Sequence, residues 1–166
     1  MNRIMHENLN LDTGSPVKIK WCDYDYFKFP LHFHDEYEIV YIIKSTGTRF
    51  VGNSIEPYSE GDLVLLGSSV PHMYRSDPEY YKNCPDLRVH AVTIQFSKEF
   101  FSHGISQYPE LNKIKNLLIR AKRGVYFHKQ FNQSLRNHIL RALKLKGFPL
   151  LLECLHILSL MSNSQH

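Results

Sequence analysis

Residues 29–74 decide the fold, and they read FPLHFHDEYEIVYIIKSTGTRFVGNSIEPYSEGDLVLLGSSVPHMY. Near the start of this stretch, three groups of metal-binding type lie at offsets of two and four: His32, His34 and Glu38. Successive side chains of a β-strand point to opposite faces, so these three are predicted to share one face. His72 follows near the end of the stretch, after a second apolar run. The four residues therefore predict one polar site inside a barrel.

Short apolar runs, separated by turns that contain Gly or Pro, extend outward from this stretch over the first hundred residues. The predicted strands are Val17–Trp21, Phe33–Ile43, Thr48–Val51, Ile55–Tyr58, Leu63–Leu66, Val70–Tyr74 and Leu87–Phe96. The run after Tyr37 is apolar on both faces, which predicts a strand that is covered on both sides. Pro57 predicts an edge strand or the start of a turn. Many short strands of this kind indicate a sandwich or a barrel.

The hydrophobic period changes to that of a helix after residue 108. Pro109 is well placed to open a first helix, which Gly124 ends, and Gly147 ends a second helix before Pro149 opens a third. A brief insertion, residues 125–127, separates the first two helices. The third helix is rich in Leu and has more apolar surface than one barrel wall needs, which predicts a partner, most simply a second copy of the chain. The candidate dimerisation residues are Leu135, Ile139, Leu143, Leu151, Leu155 and Leu158.

The chain has 166 residues, and its length and composition are typical of a single globular domain. No run approaches the ~20 apolar residues of a membrane helix, and the N-terminus lacks the apolar centre of a signal peptide. The cysteines Cys22, Cys84 and Cys154 form no C-x-x-C pair, which favours the reducing cytoplasm. Residues 111–166 contain ten Lys or Arg residues and one acidic residue, Glu153, and a solvated helix face explains this charge more simply than a phosphate-binding surface.

The order of these motifs resembles a known family. The segment His32–Glu38 follows the first motif of cupin proteins, H-x-H-x(3,4)-E, and Gly61–His72 follows the second motif in a looser form. Gly67 stands where that second motif usually has proline, and Ser69 where it has glycine. More specifically, the sequence of residues 31–74 is similar to that of the sensor domain of AraC-type transcription regulators. The helical tail is similar to the region through which those sensors dimerise.

This resemblance implies a mainly β fold with C-terminal α structure, in which a cupin-type β barrel precedes an antiparallel helical dimerisation region. The chain is then one sensor domain, with a flexible arm at 1–16, the barrel at 17–100 and the dimerisation region at 108–161. The implied function is to bind a small-molecule effector in the barrel, as a homodimer, and so to control DNA binding. DNA would be bound through a C-terminal helix-turn-helix domain of about a hundred residues that this chain does not contain. No membrane partner is expected.

The expected effector pocket contains His32, His34, Glu36, Glu38, His72 and Tyr74. Four of these, His32, His34, Glu38 and His72, are also candidate ligands for a single divalent Zn, Ni, Fe or Mn ion, although the resemblance requires no cofactor. The alternative is that they are polar barrel residues bonded to each other or to the effector. Arg49 and Arg88 are candidates for pairing with an anionic effector, or simply with surface acids.

Two other functions are consistent with the same motifs. A cupin with this ligand set can be a metal-dependent dioxygenase, decarboxylase or isomerase, and it can also be a free-standing binding protein. No acid–base pair beyond the ligands is evident, and neither G-x-S-x-G nor a Gly-rich phosphate loop occurs. The sequence therefore predicts a sensor that is not an enzyme, with no catalytic residues.

Overall fold

Two five-stranded sheets face each other in the computed structural model, which describes residues 4–9, 11, 14–82, 84–99, 105 and 107–164. The first sheet has the order β1-β3-β8-β5-β6. Its strands are β1 (Met5–His6), β3 (His32–Phe33), β8 (His72–Ser76), β5 (Gly47–Val51) and β6 (Ser54–Tyr58). The second sheet has the order β10-β7-β4-β9-β2. Its strands are β10 (Val125–Phe127), β7 (Leu63–Leu66), β4 (Tyr37–Lys44), β9 (Val89–Phe96) and β2 (Val17–Tyr24).

The central strand of the second sheet, β4, is buried on both faces, as the apolar run after Tyr37 predicted. In β4, Val40 and Ile42 face the first sheet across the barrel interior, whereas Ile39 and Tyr41 face the helices. The other strands of this sheet alternate in the same way, because side chains of a strand point to opposite faces in turn. The barrel therefore has a small interior core and a larger core between its outer wall and the helices.

Three helices cover the outer face of the second sheet: α1 (Asn112–Ala121), α2 (Asn132–Ala142) and α3 (Gly147–Asn163). Short 3-10 turns, Pro109–Leu111 and Lys129–Phe131, precede the first two helices. Gly124, at φ 74°, follows α1 in the left-handed conformation that glycine adopts without strain. Within the described residues, no helix combines the length and apolar content needed to cross a bilayer.

The mainly β architecture with C-terminal helices is confirmed, and most predicted strands are present. The edge position of the Pro57 strand is confirmed, because β6 ends its sheet. Several boundaries differ from the prediction, among them the start of the last long strand, which is Val89 and not Leu87. Val17–Trp21 continues to Tyr24, and the predicted Val70–Tyr74 strand begins at His72. The third helix begins two residues before Pro149, at Gly147.

The predicted strand Phe33–Ile43 is wrong, because two strands of different sheets occupy it. His32–Phe33 pairs with β8 in the first sheet, and Tyr37–Lys44 lies at the centre of the second. Bends at residues 35–36 connect them. The shared face that the spacing of His32, His34 and Glu38 predicted is therefore not the face of a single strand.

Three of the predicted dimerisation residues belong to the core of the chain itself. Leu135, Ile139 and Leu158 are at most 2% exposed, so they are not available to a partner in this arrangement. The other three are partly buried against the same core: Leu143, Leu151 and Leu155. The exposed apolar side chains of α3 are instead Phe148 and Leu152, which are 68% and 50% exposed.

Gly67 is one of the two positions where the chain departs from the cupin motif, and it contacts α1. Its N–H donates a hydrogen bond to the carbonyl oxygen of Ala121 at 2.8 Å. A Cβ atom at position 67 would lie 2.6 Å from that same oxygen. Proline has no N–H to donate, and any side chain would meet the helix backbone, so glycine is required here.

Candidate functional site

Three histidines meet at the place where the two sheets approach each other. His32 and His72 are directly opposite each other on β3 and β8, and His34 follows β3. Their exposed fractions are 9%, 3% and 1% for His32, His72 and His34. The ring of His72 lies 4.3 Å from that of His32 and 5.1 Å from that of His34, measured between centroids. The convergence that the spacing predicted is therefore present, although two sheets produce it.

The main chain holds all three rings in the same way. In each ring Nδ1 lies against a carbonyl oxygen: His32 against Pro30 at 2.8 Å, His72 against Val70 at 2.9 Å, and His34 against Glu36 at 3.1 Å. A carbonyl oxygen only accepts hydrogen bonds, so Nδ1 carries the proton. In a neutral ring this leaves the lone pair on Nε2. Contacts of this kind also orient histidines that bind metals.

Glu38 joins the cluster through His34. Its Oε2 atom lies 3.0 Å from His34 Nε2 and accepts a hydrogen bond from Gln95 Nε2 at 2.8 Å. Burial raises the pKa of Glu38, but the hydrogen bond from His34 and the charges of the histidines outweigh it and lower the pKa to about 2. Burial lowers the pKa of His34, whereas its hydrogen bond to Glu38 and the nearby carboxylates raise it above its usual value. Without a bound ion, His34 and Glu38 therefore form a buried ion pair.

His72 has a polar atom without a protein partner. Its Nε2 is buried and makes no hydrogen bond to any described residue. Burial lowers the pKa of His72 to about 4, so the ring is neutral near pH 7 and this nitrogen is an acceptor. Buried polar atoms are nearly always satisfied, so an unpaired acceptor beside two other histidines indicates a missing ligand or ion.

The three histidines fit a divalent metal ion. One nitrogen from each of His32, His34 and His72 lies within 4.8 Å of the others. Imidazole nitrogen suits Zn, Ni and Fe, and a carboxylate adds to that set. Adjacent ligands around an ion with bonds of ~2.1 Å are about 3.0–3.4 Å apart, and His34 Nε2 and Glu38 Oε2 are 3.0 Å apart. Glu38 is therefore placed beside His34 as a fourth candidate ligand.

A cavity of about 260 Å³ opens beside the histidines. Its floor includes His32, Glu38, His72 and Tyr74. Its side walls come from alternate residues of β2 and β9, including Lys18, Lys20, Cys22, Tyr24, Thr93 and Gln95. A wall with amide, ammonium, phenol and carboxylate groups can hydrogen-bond a small polar molecule while its apolar parts exclude water.

The N-terminal arm closes one side of this cavity. Met5 and His6 pair in parallel with β3, so the predicted arm includes a short strand. Residues 7–9 line the cavity, and Glu7 Oε2 lies 3.3 Å from His32 Nε2. The arm therefore contributes a carboxylate to the histidine cluster. Predicted arm residues 1–3, 10 and 12–13 lie outside the described residues.

Residues 18–158 match the family of the AraC-like ligand binding domain. The chain belongs to this family. A relative, the HTH-type transcriptional activator RhaR of Mannheimia succiniciproducens, is 31% identical over 72 residues, which are 43% of this chain and 26% of the relative. The matched region is thus about a quarter of that regulator.

Two solved structures are similar to the chain to different extents. A substituted form of apo ToxT from Vibrio cholerae strain SCE256 has a TM-score of 0.51 at 13% identity, over 90% of this chain and 54% of that one. A cupin 2 conserved barrel domain protein from Salinispora arenicola CNS-205 has a TM-score of 0.42 at 16% identity, over 59% of this chain and 77% of that one. The region that matches this AraC-like domain is therefore about half of the ToxT chain.

Two other predicted site residues have different positions. The Tyr74 side chain lies in the cavity floor, and its buried hydroxyl makes no hydrogen bond to a described residue. Glu36 is not among the cavity-lining residues of this AraC-like domain. Its carboxylate lies 3.7 Å from Nδ1 of His34, on the side of the ring away from Glu38. Glu36 thus supports His34 from behind and does not contact the pocket.

Both arginines that were candidates for an anionic effector pair with acids of the chain. Arg49 is buried and contacts Asp62 at 2.7 Å and Glu56 at 2.5 Å, and its guanidinium lies over the ring of Tyr126. Arg88 contacts Asp23 and Asp25, each at 2.7 Å. Of the two alternatives, pairing with acids is therefore the one that the structure contains.

Sequence reasoning missed several cavity residues of this AraC-like domain, although a signal for some of them was present. Thr93 and Gln95 alternate with Val92, Ile94 and Phe96, which are fully buried on the other face of the strand. Polar residues at every second position indicate a face that meets a ligand or solvent. Glu7 gave no comparable signal, because its contact with His32 depends on how the arm folds back.

Proposed function

We propose that this AraC-like domain binds a small polar effector in the cavity beside His32, His34, Glu38 and His72. The observation that carries this proposal is the pair of unsatisfied buried atoms in the cavity floor, His72 Nε2 and Tyr74 Oη. An effector with a hydrogen-bond acceptor would satisfy the phenol, and the ion proposed below would satisfy the imidazole nitrogen. The family to which the chain belongs supports a regulatory domain in preference to an enzyme.

A single divalent ion, Zn, Ni, Fe or Mn, is part of the proposed site. His32, His34 and His72 would hold it, with Glu38 as the fourth ligand. The ion would supply a Lewis acid that binds an oxygen atom of the effector. Gln95 orients Glu38 through its hydrogen bond, and the three main-chain carbonyls hold Nδ1 of each imidazole, which would leave Nε2 available to the ion.

Regulation would follow from unequal binding. Two subunits would associate through the helices, and each would present a C-terminal helix-turn-helix domain that is not in this chain. An effector can shift such an assembly only if it binds its alternative arrangements with different affinities. The arm supports this view, because residues 7–9 line the cavity and would contact a bound effector.

The test combines metal analysis with a thermal-shift screen of small polar metabolites. We expect stoichiometric metal in the purified protein, and a lower melting temperature after chelation. Hits are then titrated against His72→Ala and Tyr74→Phe, with His128→Ala as the control outside the cavity. We expect both cavity variants to weaken binding at least about tenfold, because each removes a directional contact. Equal affinity of all variants would exclude this cavity as the effector site.

A further inference from the structure

A buried carboxylate and two histidines come together in the helices, where no function has been assigned. His138 lies in α2, and Glu153 and His156 lie in α3. One ligand atom of each residue lies within 4.8 Å of the others. None of the three lines the barrel cavity. This is therefore a second group of metal-binding type, separate from His32, His34 and His72.

Glu153 is an unusual residue for its position. It is the only acidic residue in 111–166, and it is 6% exposed in a helix composed mainly of apolar residues. Burying a carboxylate is costly unless it is paired. His138 Nδ1 lies 2.7 Å from Oε1 and provides one partner. Arg141 Nε is 3.8 Å from Oε2, beyond hydrogen-bonding distance, so Oε2 keeps coordinating capacity.

His156 completes the group. It follows Glu153 by three residues, so the two side chains lie on the same face of α3. Its ring centroid is 4.4 Å from that of His138, at an interplanar angle of 67°. The His156 side chain is exposed, and no described residue forms a hydrogen bond with it. A purely structural His138–Glu153 pair has no use for His156, whereas a metal site does.

We propose that His138, Glu153 and His156 bind one Zn²⁺ ion that links α2 to α3. Two imidazole nitrogens and one carboxylate oxygen are a common three-ligand set for zinc, with the fourth position left to water or another donor. Ligands around a tetrahedral zinc ion are about 3.4 Å apart, and the three ligand atoms here lie within 4.8 Å of one another. Small side-chain rotations would therefore bring them to coordination distance. The ion neutralises the buried carboxylate. The Arg141 side chain is 67% exposed and is free to turn into solvent.

The experiment is a zinc titration of the folded chain against a chromophoric chelator, repeated with Co²⁺ for its absorption bands. His156→Ala removes one ligand from an exposed position and leaves the His138–Glu153 hydrogen bond in place. We expect His156→Ala to bind one zinc equivalent with an affinity at least about tenfold lower than that of the unaltered protein. His156→Cys should keep the tight binding of that equivalent. His128→Ala, another exposed histidine of the same region, should behave like the unaltered protein.

Two further variants separate this site from the barrel. His72→Ala should keep the equivalent that His156→Ala loses, and Glu153→Gln should lose it. Circular dichroism checks that each variant is folded. If Glu153→Gln does not fold, the zinc titration of His156→Ala alone tests the proposed site. If the protein and His156→Ala bind the same number of zinc ions with the same affinity, the helical site does not exist.

Discussion

The hydroxyl groups of two buried tyrosines in this barrel differ in their hydrogen bonding. Tyr58 Oη is 3.1 Å from the Ser45 hydroxyl, whereas Tyr74 Oη has no partner among the described residues. Burial raises the pKa of both phenols, that of Tyr58 to about 12, so both stay protonated. An unsatisfied buried hydroxyl reduces stability, so Tyr74 is kept at an energetic cost that a ligand would recover.

This difference predicts opposite effects of removing the two hydroxyls. Tyr74→Phe should leave the free energy of unfolding unchanged or raise it by about 1 kcal/mol in the absence of ligand, because no hydrogen bond is lost. Tyr58→Phe should lower it by about 1 kcal/mol, because the Ser45 hydroxyl loses its partner. Urea unfolding of the two variants measures both effects. A large loss for Tyr74→Phe would mean that its hydroxyl is already bonded.

Asp62 predicts a dependence of stability on pH. Burial raises the pKa of this carboxyl to about 6, although Arg49 opposes the shift. The folded chain therefore binds a proton more tightly than the unfolded chain, whose Asp has its usual value of 3.8. The contribution of Asp62 to stability is complete below pH 3.8 and is lost as the pH rises through about 6.

The measurement compares the protein with Asp62→Asn between pH 4 and pH 7. Their difference in unfolding free energy should change by about 2 kcal/mol over this range, with the unaltered protein relatively less stable at pH 7. Glu60→Gln, on the neighbouring turn, serves as the control. A difference that is independent of pH would show that Asp62 ionises normally beside Arg49.

At the scale of elements, the contact between β7 and α1 depends on one glycine. A side chain at Gly67 would displace backbone atoms of Ala121, and backbone cannot move as cheaply as a flexible side chain. Gly67→Ala should therefore lower the free energy of unfolding by about 1–3 kcal/mol. Ser68→Ala, at the next and half-buried position, should change it by less than about 0.5 kcal/mol. Equal effects in thermal unfolding would contradict the close approach.

The two sides of α3 predict a second contrast. Leu158 is fully buried between the helices and the sheet, and Leu152 is 50% exposed. Leu158→Ala should destabilise the fold by about 2–5 kcal/mol, because it leaves a cavity. Leu152→Ala should cost less than about 0.5 kcal/mol in the monomer. Chemical denaturation at low protein concentration, where association does not contribute, measures both values.

At the scale of the whole molecule, the exposed side chains of α3 are the contact that we propose for a second copy of the chain. Phe148 and Leu152 are one turn apart and both exposed, so they share a face. If they form the proposed dimer contact, Leu152→Asp should shift sedimentation toward the monomer without loss of helix content. Ile119→Asp, an exposed position on α1, is the matched control. A protein that remains monomeric at high concentration would contradict the proposed dimer.

The sequence predicted the overall fold well, because alternation of period two, Gly and Pro turns and the later helical period are local signals. It also brought His32, His34 and His72 together correctly. It did not predict the break between β3 and β4, since Asp35 and Glu36 are compatible with a continuous strand. An apolar stripe on a helix does not distinguish packing within the chain from packing between chains, which explains why buried Leu135 and Leu158 were assigned to a dimer contact. The Arg49–Asp62 pair joins residues that are 13 positions apart in the sequence, which no local pattern reveals.

The alternation of β4 has a consequence for how a signal would travel. Glu38 and Val40 line the cavity, while Ile39 and Tyr41 contact the helices from the other face of the same strand. A bound molecule and the helical layer are thus separated by the thickness of one sheet, so no relay of intermediate elements is needed. A one-residue slip of this strand would exchange the two sets of side chains and remove both surfaces at once. Alternate residues of this eight-residue strand therefore line the cavity and pack against the helices.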